Sequence, residues 1–468
     1  MDGHNILIIG AGKAGRLLAR DIGINHPDCQ VVGFVDDGIK SSGSVLGSID
    51  DMPRLLGLLK VDEIVIAIPS ADGALVRRIL LVNLKNRVPI RIVPRDQRII
   101  GKSDVRYVEV RAVDPEDFLG RPFRRQHVDR LTRYYRGKTV FVTGGAGSIG
   151  SEIVRQLIDL GAKRVIVYDN SEYLVFLLEQ QLKERGEREK CELIVGSILH
   201  DNKLLMLLKR FKPDIVFHAA AYKHVHLMQD NIDEAVYNNA IGTRRVIDAA
   251  LAAGIGQFTF ISTDKVVNPT SVMGATKKLC EYYIQSLRGS KMKFNIVRFG
   301  NVINSNGSAL PLFERQMELH GYVTVTHKKM QRFFMSIREA ASLVIESTAE
   351  GQPNAIHILN MGELINIHEV ALCLIRSKNL ISGTDVEVRI TGLRKGEKMI
   401  EELYTETEKG NLRQLEGGKS IYPLKNEEAC PIDIVNVLDE LENIVKLGDA
   451  TGELRKMMKK VFPSLKRG

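Results

Sequence analysis

The feature that most constrains the fold of this chain is a glycine-rich turn that occurs twice. Each turn follows a short apolar run and precedes an amphipathic pattern, first as GAGKAG (10–15) and then as GGAGSIG (144–150). Glycine is required in such turns because the backbone must reverse tightly and let a ligand approach the amides of a helix N-terminus. The sequence therefore predicts two strand–turn–helix units of the nucleotide-binding type.

The segments around both turns alternate between short apolar runs and helical periodicity, which predicts parallel α/β sheets. The fold class that we expect is two Rossmann-like doubly wound parallel sheets in tandem. Apolar runs in both units predict strands, at 5–10, 31–36, 63–69 and 88–94, and then at 192–198, 214–221, 258–264 and 294–302. After residue 400, apolar residues spaced by three and four predict a pair of packing helices.

Length and composition exclude several classes of protein. A chain of 468 residues that is 44% hydrophobic and 26% charged is ordinary for two or three folded domains. We find no apolar run of the ~18–20 residues that a membrane span needs, and no signal peptide. Five scattered cysteines without a CxxC pair indicate a reducing compartment and hence a cytoplasmic location. We expect no metal site.

The net charge of +9 is concentrated in one segment. Residues 85–138 contain 15 Lys and Arg against 7 Asp and Glu, so the rest of the chain is close to neutral. This distribution argues against a nucleic-acid-binding protein, whose basic residues would cover a binding face. We favour a solvated linker with a docking helix, and the alternative is a contact with a polyanion or with the inner membrane surface.

The first turn has Gly10, Gly12 and Gly15 in the G-x-G-x-x-G spacing, and Asp36 ends the next predicted strand. An acidic residue at that distance can bind ribose hydroxyls. Alone this spacing is weak evidence of a ligand. The N-terminal unit could hold a nucleotide, sense a product or serve in assembly.

The second turn has the G-x-x-G-x-x-G spacing typical of short-chain dehydrogenase/reductase proteins. Asp169 ends the following strand, where its carboxylate would accept from ribose hydroxyls and repel a 2′-phosphate, which favours NAD over NADP. The residues that we expect to bind the cofactor are Gly144, Gly147, Ser148, Ile149, Gly150, Asp169, Ala219, Ala220 and Lys277.

The stretch ISTDKVVNPTSVMGATKK (261–278) carries the candidate catalytic residues. Short-chain dehydrogenases place a Ser or Thr after the fifth strand and a Tyr-x-x-x-Lys at the next helix; here Thr263 and Lys277 are present, but Met273 replaces the tyrosine. A thioether cannot exchange a proton. Asp264 and Lys265 are an adjacent acid and amine, as a dehydration needs, because one group removes a proton alpha to a carbonyl and the other protonates a leaving hydroxyl.

The sequence resembles the CapD polysaccharide-biosynthesis family of nucleoside-diphosphate-sugar 4,6-dehydratases. The matching runs include GGAGSIGSEIVRQL, HAAAYKHVHLM, NNAIGT, STDKVVNPTSVMGATKK, VRFGNVINSNGSALPLF and TGLRKGEKMIEEL. The resemblance implies an N-terminal Rossmann-like domain at 1–112, a basic linker at 113–137 and, at 138–468, an extended short-chain dehydrogenase/reductase domain with a small C-terminal substrate-binding part. Long-form relatives carry membrane helices before the first Rossmann unit, and this sequence contains none. Whether it is a naturally shorter member or a fragment is left open.

The resemblance also implies a reaction, the NAD-dependent dehydration of UDP-N-acetylglucosamine through a 4-keto intermediate. Lys265 would abstract the C5 proton and Asp264 would protonate the departing C6 hydroxyl. Thr263 would contact the C4 oxygen and relay its proton to Lys277 or to solvent, and Lys277 would hold the nicotinamide ribose.

The residues implied to line the substrate site are Lys223, His224, Asn301, Arg332, Arg394 and Glu397. Gln229 stands where relatives usually have Glu, which leaves the fine substrate preference open. We expect a homo-oligomer. The alternatives are a UDP-sugar 4-epimerase of the same fold and a non-catalytic sugar-nucleotide-binding protein.

Overall fold

A computed structural model describes residues 3–38, 43–94, 105–121, 123, 127–409, 420–424, 430–448 and 451–465. In these residues the strands are β1 (His4–Ile9), β2 (Cys29–Val35), β3 (Val45–Gly47), β4 (Glu63–Ile66), β5 (Ile90–Ile92), β6 (Arg111–Ala112), β7 (Thr139–Thr143), β8 (Arg164–Asp169), β9 (Cys191–Val195), β10 (Ile215–His218), β11 (Gln257–Ile261), β12 (Lys293–Arg298), β13 (Asn301–Val302), β14 (Tyr322–Val325), β15 (Gln331–Met335), β16 (Ala355–Leu359), β17 (Leu364–Asn366), β18 (Glu387–Ile390) and β19 (Ile421–Leu424).

The α-helices are α1 (Lys13–Asn25), α2 (Met52–Leu58), α3 (Gly73–Val82), α4 (Pro115–Leu119), α5 (Val128–Tyr135), α6 (Ser148–Asp159), α7 (Glu172–Glu184), α8 (Asp201–Phe211), α9 (Val225–Asp230), α10 (Ile232–Glu234), α11 (Gly242–Ala252), α12 (Val272–Ser286), α13 (Ala309–His320), α14 (Ile337–Glu350), α15 (Ile367–Ser377), α16 (Glu406–Lys409), α17 (Ile434–Lys446) and α18 (Thr451–Val461). A π-helical turn, Ala235–Ile241, precedes α11.

The chain forms two compact units. Unit 1 comprises Met1–Arg124, Gly307–Phe334 and Leu364–Gly392, and unit 2 comprises Arg125–Asn306, Met335–Glu363 and Leu393–Gly468. Unit 1 thus contains two segments that the sequence analysis placed in the catalytic domain at 138–468. Local periodicity does not show this arrangement, because it depends on packing between residues that are far apart along the chain.

The main sheet of unit 1 has the strand order β3-β2-β1-β4-β5-β6, with β6 antiparallel to β5. Strands β1 and β4 are buried apolar runs at its centre, as a parallel sheet covered on both faces requires. The two later segments of unit 1 add a parallel pair, β14 with β18, and an antiparallel pair, β15 with β17.

The main sheet of unit 2 has the order β19-β16-β12-β11-β10-β7-β8-β9, and it is parallel apart from β19. The order reverses between β7 and β10, and ligands bind at such a switch point in doubly wound sheets. The carboxyl ends of β7, β10 and β11 therefore bring the second glycine-rich turn and the stretch at 261–278 to one edge.

The predicted fold class is confirmed, since both units contain a Rossmann-like, mainly parallel sheet. The C-terminal helices appear as α17 and α18. In the part of the chain that the structure describes, no helix combines the length and apolarity required to traverse a bilayer. Part of the basic segment at 85–138 lies outside the described residues.

Candidate functional site

The backbone of the glycine-rich turn of unit 2 lies so close to neighbouring backbone atoms that two of its glycines have no room for a side chain. Gly144 has φ +61°, and a Cβ there would lie 2.6 Å from the amide nitrogen of Ala220. A Cβ on Gly150 would lie 2.1 Å from the carbonyl oxygen of Gly144. Helix α6 begins at Ser148, with Gly147 as its N-cap and Ile149 in its first turn. The turn leaves a narrow cradle against Ala219 and Ala220, of the kind that accepts a pyrophosphate.

Asp169 lies beside this cradle at the end of β8. The side chain is buried, and its Oδ2 accepts from the amide of Ala146 at 3.1 Å, while Oδ1 accepts from the amide of Ser171 at 3.0 Å. Asp36 of unit 1 has the same relation to its own turn, because its Oδ2 accepts from the amide of Ala11 at 2.8 Å. Each acidic residue is thus fixed next to its glycine-rich turn, where a ribose would lie.

Three predicted catalytic residues follow β11 and converge on one oxygen atom. The hydroxyl of Thr263 donates to Asp264 Oδ1 at 2.8 Å, and Lys265 Nζ donates to the same Oδ1 at 2.9 Å. Lys265 Nζ also donates to Asn301 Oδ1 at 3.2 Å, so the structure brings this predicted substrate-binding residue to the predicted catalytic residues. The amide of Asp264 donates to the carbonyl of Phe299 at 3.1 Å, which anchors the turn on the end of β12.

The second carboxylate oxygen of Asp264 differs from the first in its hydrogen bonding. The residue is fully buried, and its Oδ2 has no hydrogen-bond partner among the described residues. A buried carboxylate oxygen without a partner is costly, and sites of this kind are retained where a ligand group supplies the missing bond. One oxygen of Asp264 is therefore held by the protein, and the other is left for a hydroxyl of a bound molecule.

Met273 and Lys277 lie on one face of α12, four residues apart, and both are buried. Lys277 Nζ lies 4.2 Å from the centroid of the Phe260 ring. Burial lowers the pKa of Lys277 to about 8. The ammonium is held by an aromatic face, which leaves its N–H groups for a ligand.

His218 is a residue that the sequence analysis did not single out, although it begins the quoted run HAAAYKHVHLM. Its ring is fully buried between the hydroxyls of Thr143 and Thr243, with its nitrogens 2.6 and 2.8 Å from them, and it stacks on Phe260. Burial, and then the charge of Lys277, lower the pKa of His218 well below its usual value. The neutral His218 ring thus packs on the same Phe260 ring that Lys277 contacts.

A buried ion network also escaped the sequence analysis, because its members lie on different elements. Arg298 on β12 donates from Nε and Nη2 to Glu281 of α12, at 2.8 and 2.6 Å, and from Nη1 to Glu408 at 3.0 Å. Glu281 further accepts from Ser262 at 2.7 Å and from Lys278 at 3.3 Å. Since Ser262 precedes Thr263 and Lys278 follows Lys277, the network fixes both segments that carry predicted catalytic residues.

Lys223 and His224 follow β10 and precede α9. Lys223 Nζ donates to Ser305 Oγ at 3.3 Å, and burial lowers the pKa of Lys223. Burial, with Lys223 and His226, also lowers the pKa of His224. The loop is held by Asn239 of the run NNAIGT, whose amide group accepts from the backbone N–H of Tyr222 at 2.8 Å and donates to its carbonyl at 2.9 Å.

Arg394 and Glu397 belong to a loop that unit 2 ties to the residues after the catalytic turn. The Thr270 hydroxyl donates to the carbonyl of Gly396 at 3.0 Å, and Lys398 Nζ donates to the carbonyl of Val267 at 2.7 Å. Glu397 accepts from the amide of Arg394 at 3.2 Å, so the two residues form one turn. Gln229 accepts from the amide of Val272 at 3.0 Å, so it fixes the start of α12.

Arg332 lies in unit 1. It is buried on β15, opposite Ile365 of β17, and its Nη1 donates to the carbonyl of Gln331 at 2.7 Å. Its role toward a substrate stays a prediction.

Comparison with known proteins decides the family. A family model described as a polysaccharide biosynthesis protein matches residues 140–422. The chain belongs to this polysaccharide biosynthesis protein family. EpsC of Bacillus subtilis, a probable polysaccharide biosynthesis protein, is 39% identical over 412 residues, which are 86% of this chain and 68% of that relative. The capsular polysaccharide biosynthesis protein CapD of Staphylococcus aureus is 36% identical over 417 residues, covering 86% of this chain and 69% of the relative.

The chain is also similar to proteins whose names state a reaction. An inverting UDP-N-acetylglucosamine 4,6-dehydratase of Campylobacter jejuni is 27% identical over 273 residues, which are 57% of this chain and 77% of the relative. UDP-glucose 4-epimerases of Rickettsia species are 28–30% identical and cover 57–60% of this chain and 77–81% of their own. The family is thus related to nucleotide-sugar dehydratases and epimerases.

Solved structures show the same fold. Pen from Bacillus thuringiensis has a TM-score of 0.58 at 30% identity and covers 66% of this chain and 98% of its own. The dTDP-glucose 4,6-dehydratase DesIV of Streptomyces venezuelae, a double mutant solved with NAD and DAU bound, has a TM-score of 0.51 at 22% identity and covers 56% and 87%.

Proposed function

We propose that this member of the polysaccharide biosynthesis family is an NAD-dependent UDP-N-acetylglucosamine 4,6-dehydratase that makes a 4-keto-6-deoxy sugar nucleotide. The observation that carries the proposal is Asp264, whose Oδ1 is bound by Thr263 and Lys265 and whose buried Oδ2 has no partner among the described residues. An acid and an amine in contact are what an elimination alpha to a carbonyl requires.

The cradle of unit 2 fits a dinucleotide. Gly144 and Gly150 leave no room for a Cβ, Asp169 is fixed beside the turn for ribose hydroxyls, and Lys277 presents N–H groups from α12. When bound, NAD would supply the oxidation of the sugar at C4 and the matching reduction at C6. NAD is bound in the DesIV structure. For this chain, NAD is supported by the fit of the residues named above.

The contacts of Thr263 suggest a path for the proton of the C4 hydroxyl. The Thr263 hydroxyl donates to Asp264 at 2.8 Å and accepts from the amide of Lys265 at 3.4 Å, so a second lone pair of its oxygen can accept from the C4 hydroxyl of a bound sugar. The proton then passes through Thr263 to Asp264. This route uses an observed hydrogen bond, and it replaces the relay to Lys277 or to solvent that the resemblance suggested.

Asp264, protonated in this way, is the acid for the elimination. Lys265, in its neutral form, takes the C5 proton of the 4-keto sugar, and Asp264 gives its proton to the C6 hydroxyl, which departs as water. Lys265 returns a proton to C5 when C6 has been reduced. The C4 hydroxyl proton thus leaves in the water molecule and both side chains are restored.

Met273 takes no part in these proton transfers, because a thioether has no exchangeable proton. In enzymes with the Tyr-x-x-x-Lys pattern the tyrosine exchanges the C4 hydroxyl proton. With a buried thioether at this position, that exchange falls to Thr263 and Asp264.

Two contacts support a substrate site beside Lys265. Asn301 Oδ1 accepts from Lys265 Nζ, and the loop with Arg394 and Glu397 is tied to residues that follow the turn at 263–265. Lys223 and His224 stay predicted site-lining residues. UDP-N-acetylglucosamine is the substrate in the name of the Campylobacter jejuni relative, and we propose it here on that similarity.

Incubation with UDP-N-acetylglucosamine in deuterated water, followed by NMR of the product, tests this function. We expect a 4-keto-6-deoxy sugar with deuterium at C5, since Lys265 exchanges its proton with solvent. The C5 configuration also follows from this spectrum. A 4-epimer formed without loss of water would identify an epimerase, and binding without turnover would identify a non-catalytic protein.

Association with a membrane surface through residues 85–138 stays a prediction, as does a homo-oligomer. In the described part of this segment, Arg87 pairs with Asp385, Arg91 with Glu63 and Arg111 with Asp117. These pairs neutralise part of the basic excess within unit 1, whose sheet includes β5 and β6.

A further inference from the structure

The last two helices of unit 2, α17 and α18, pack on helix α12. Leu438 of α17 and Met458 of α18 are fully buried in the same apolar core as Met273 of α12. After the end of α18, Phe462 stacks on Tyr282 of α12, with the two ring centroids 6.3 Å apart. The C-terminal helices therefore cover one face of the helix that carries two of the predicted catalytic residues.

A half-buried arginine of α18 reaches the residue that holds the start of α12. Arg455 Nη2 donates to the backbone carbonyl of Gln229 at 2.6 Å. The buried side chain of Gln229 accepts, through Oε1, from the amide of Val272 at 3.0 Å. Val272 is the first residue of α12, so its amide is one of those that have no partner within the helix. Gln229 is thus held by α18 through its backbone, and it holds α12 through its side chain.

The residues just before α12 are also held by the end of the chain. Ser464 Oγ donates to the carbonyl of Pro269 at 2.8 Å. Pro269 lies in the segment 266–271, which joins the turn at 263–265 to α12, and Asn268 beside it has a left-handed backbone with φ +42°. The C-terminal residues therefore hold this segment in its middle and, through Gln229, at its far end.

The first turn of α12 lies directly against the backbone of Lys265. A Cβ on Gly274 would lie 2.3 Å from the carbonyl oxygen of Lys265, so the two backbones are closer than a side chain at position 274 allows. Because closely packed groups transmit displacements to one another, a shift of the start of α12 would move Lys265. A path of direct contacts thus runs from Arg455 through Gln229 and the start of α12 to Lys265, and all of it lies within unit 2.

We propose that the C-terminal residues of unit 2 position Lys265 for the removal of the C5 proton, with Arg455 and Ser464 as the positioning residues. The proposal rests on the proposed function, in which Lys265 is the base of the elimination. Such a base must be held within about 0.5 Å of its productive position. The match to the family model ends at residue 422 and does not include α18.

Steady-state kinetics with UDP-N-acetylglucosamine test the proposal. Arg455→Met should lower kcat by about tenfold to a hundredfold, as a misplacement of roughly 1 Å does. KM and the affinity for NAD should change by less than about twofold, because the change acts on the base and not on the binding groups. Arg455→Lys should restore most of kcat, since an ammonium can donate to the same carbonyl. A loss of kcat that Arg455→Lys does not restore, or a rise in KM with kcat unchanged, would overturn the proposal.

Arg245→Met is a matched control. Arg245 also ties the C-terminal helices to the rest of unit 2, because it donates to the carbonyl of Leu199 and to Glu442 of α17, both at 2.7 Å. Among the described residues it has no bond to Gln229. This variant should leave kcat unchanged, and an equal loss of kcat in Arg245→Met and Arg455→Met would attribute the effect to general loosening of the helices and overturn the proposal.

Amide hydrogen exchange at Val272 gives a readout that requires no substrate. Exchange in Arg455→Met should be about threefold to tenfold faster than in the wild-type protein, and exchange in Arg245→Met should be unchanged. Equal exchange in Arg455→Met and the wild-type protein would overturn the proposal. Faster exchange in Arg455→Met, together with no dehydration by the wild-type protein, would contradict the proposed function and leave the path from Arg455 to α12 standing.

Ser464→Ala provides the test if Arg455→Met does not fold, because Ser464 is exposed and its replacement removes a single hydrogen bond. We expect kcat to fall by roughly twofold to fivefold with KM unchanged, as the loss of one neutral hydrogen bond would give. An unchanged kcat in Ser464→Ala would overturn the proposal.

Discussion

Lys265 Nζ and Asp264 Oδ1 are 2.9 Å apart, and the other carboxylate oxygen of Asp264 has no hydrogen-bond partner among the described residues. The pair therefore differs from a surface salt bridge, in which water completes both carboxylate oxygens. Thr263 on the same Oδ1 and Asn301 on the same Nζ fix the orientation of both groups. In the proposed function, this unpartnered oxygen is where a substrate hydroxyl would complete the arrangement.

The first prediction concerns this pair. Asp264→Asn and Lys265→Met should each lower kcat for dehydration by about 10²- to 10⁴-fold, the usual contribution of a general acid or base. The affinity for UDP and the far-ultraviolet circular dichroism should be retained, because the changed groups are similar in size. Product formation under single-turnover conditions measures the loss.

A matched control uses an acid–amine pair that has no catalytic role. Glu179 and Lys183 form a pair on α7 at 3.2 Å, in which Lys183 is exposed and Glu179 is half-buried and also accepts from Arg188. Glu179→Gln and Lys183→Met should leave kcat unchanged, and full activity in Asp264→Asn would remove Asp264 from the mechanism.

The second prediction compares the two glycine-rich turns. Gly150→Ala should abolish NAD binding or destabilise the protein strongly, since its Cβ would lie 2.1 Å from the carbonyl oxygen of Gly144. Gly12→Ala, in the turn of unit 1, should be tolerated, because no described residue beyond its two chain neighbours lies within 4 Å of its Cβ position. Fluorescence titration with NADH and thermal unfolding measure both effects. Equal NAD affinity in both variants would place the cofactor elsewhere.

The third prediction follows from the pKa of Lys277, which burial lowers to about 8 from its ordinary value of 10.5. The unfolded chain then binds more protons than the folded protein between these values, so this residue makes the free energy of unfolding rise as pH increases from about 8 to 10.5. The rise should be about 1 to 3 kcal/mol in the protein without cofactor.

Urea unfolding at several pH values, with Lys277→Met as the reference, isolates this contribution. The wild-type protein should gain stability relative to the variant over that range. A difference that is constant with pH would mean that Lys277 titrates at its ordinary pKa.

The fourth prediction concerns Glu281. Burial alone would raise its pKa, but Arg298 and Lys278 outweigh burial and lower the pKa to about 2. The stability that this carboxylate contributes is therefore present above the unfolded pKa, near 4.3, and is lost as pH falls toward 2. At neutral pH, Glu281→Gln should cost about 3 to 5 kcal/mol, because it leaves a buried guanidinium short of a charge partner.

The control for this change is Glu192→Gln, since Glu192 pairs with Arg164 at the surface. That variant should cost less than about 1 kcal/mol, as exposed ion pairs usually do. Urea unfolding at pH 7 measures both variants, and equal costs would show that the Arg298 network contributes no more than a surface pair.

The parts of the fold that were predictable from sequence are those with local causes. The turns at 10–15 and 144–150 follow from glycine spacing, and the strands beside them follow from short apolar runs that must be buried. Thr263, Asp264 and Lys265 are adjacent in the chain, so their proximity required no knowledge of packing. The helices α17 and α18 follow from apolar residues repeated every three or four positions.

Contacts between distant residues were not predictable in this way. The Asn301 contact with Lys265, the buried bonds of Arg298 with Glu281, and the support of Lys277 by His218 and Phe260 each join different strands and helices. Their formation depends on strand order, and a single sequence contains no signal for which side chains meet across a sheet.

The sequence alone determined the type of sheet and the two glycine-rich turns, because steric requirements of the backbone and local periodicity act over a few residues. It also predicted Thr263, Asp264 and Lys265 as catalytic residues, and that role stays a prediction. The tertiary structure decided which oxygen of Asp264 has a hydrogen-bond partner among the described residues, and that the segment at 364–392 packs on the N-terminal part of unit 1 through Arg376. Those features depend on which buried groups find partners, and burial is a property of the whole folded chain.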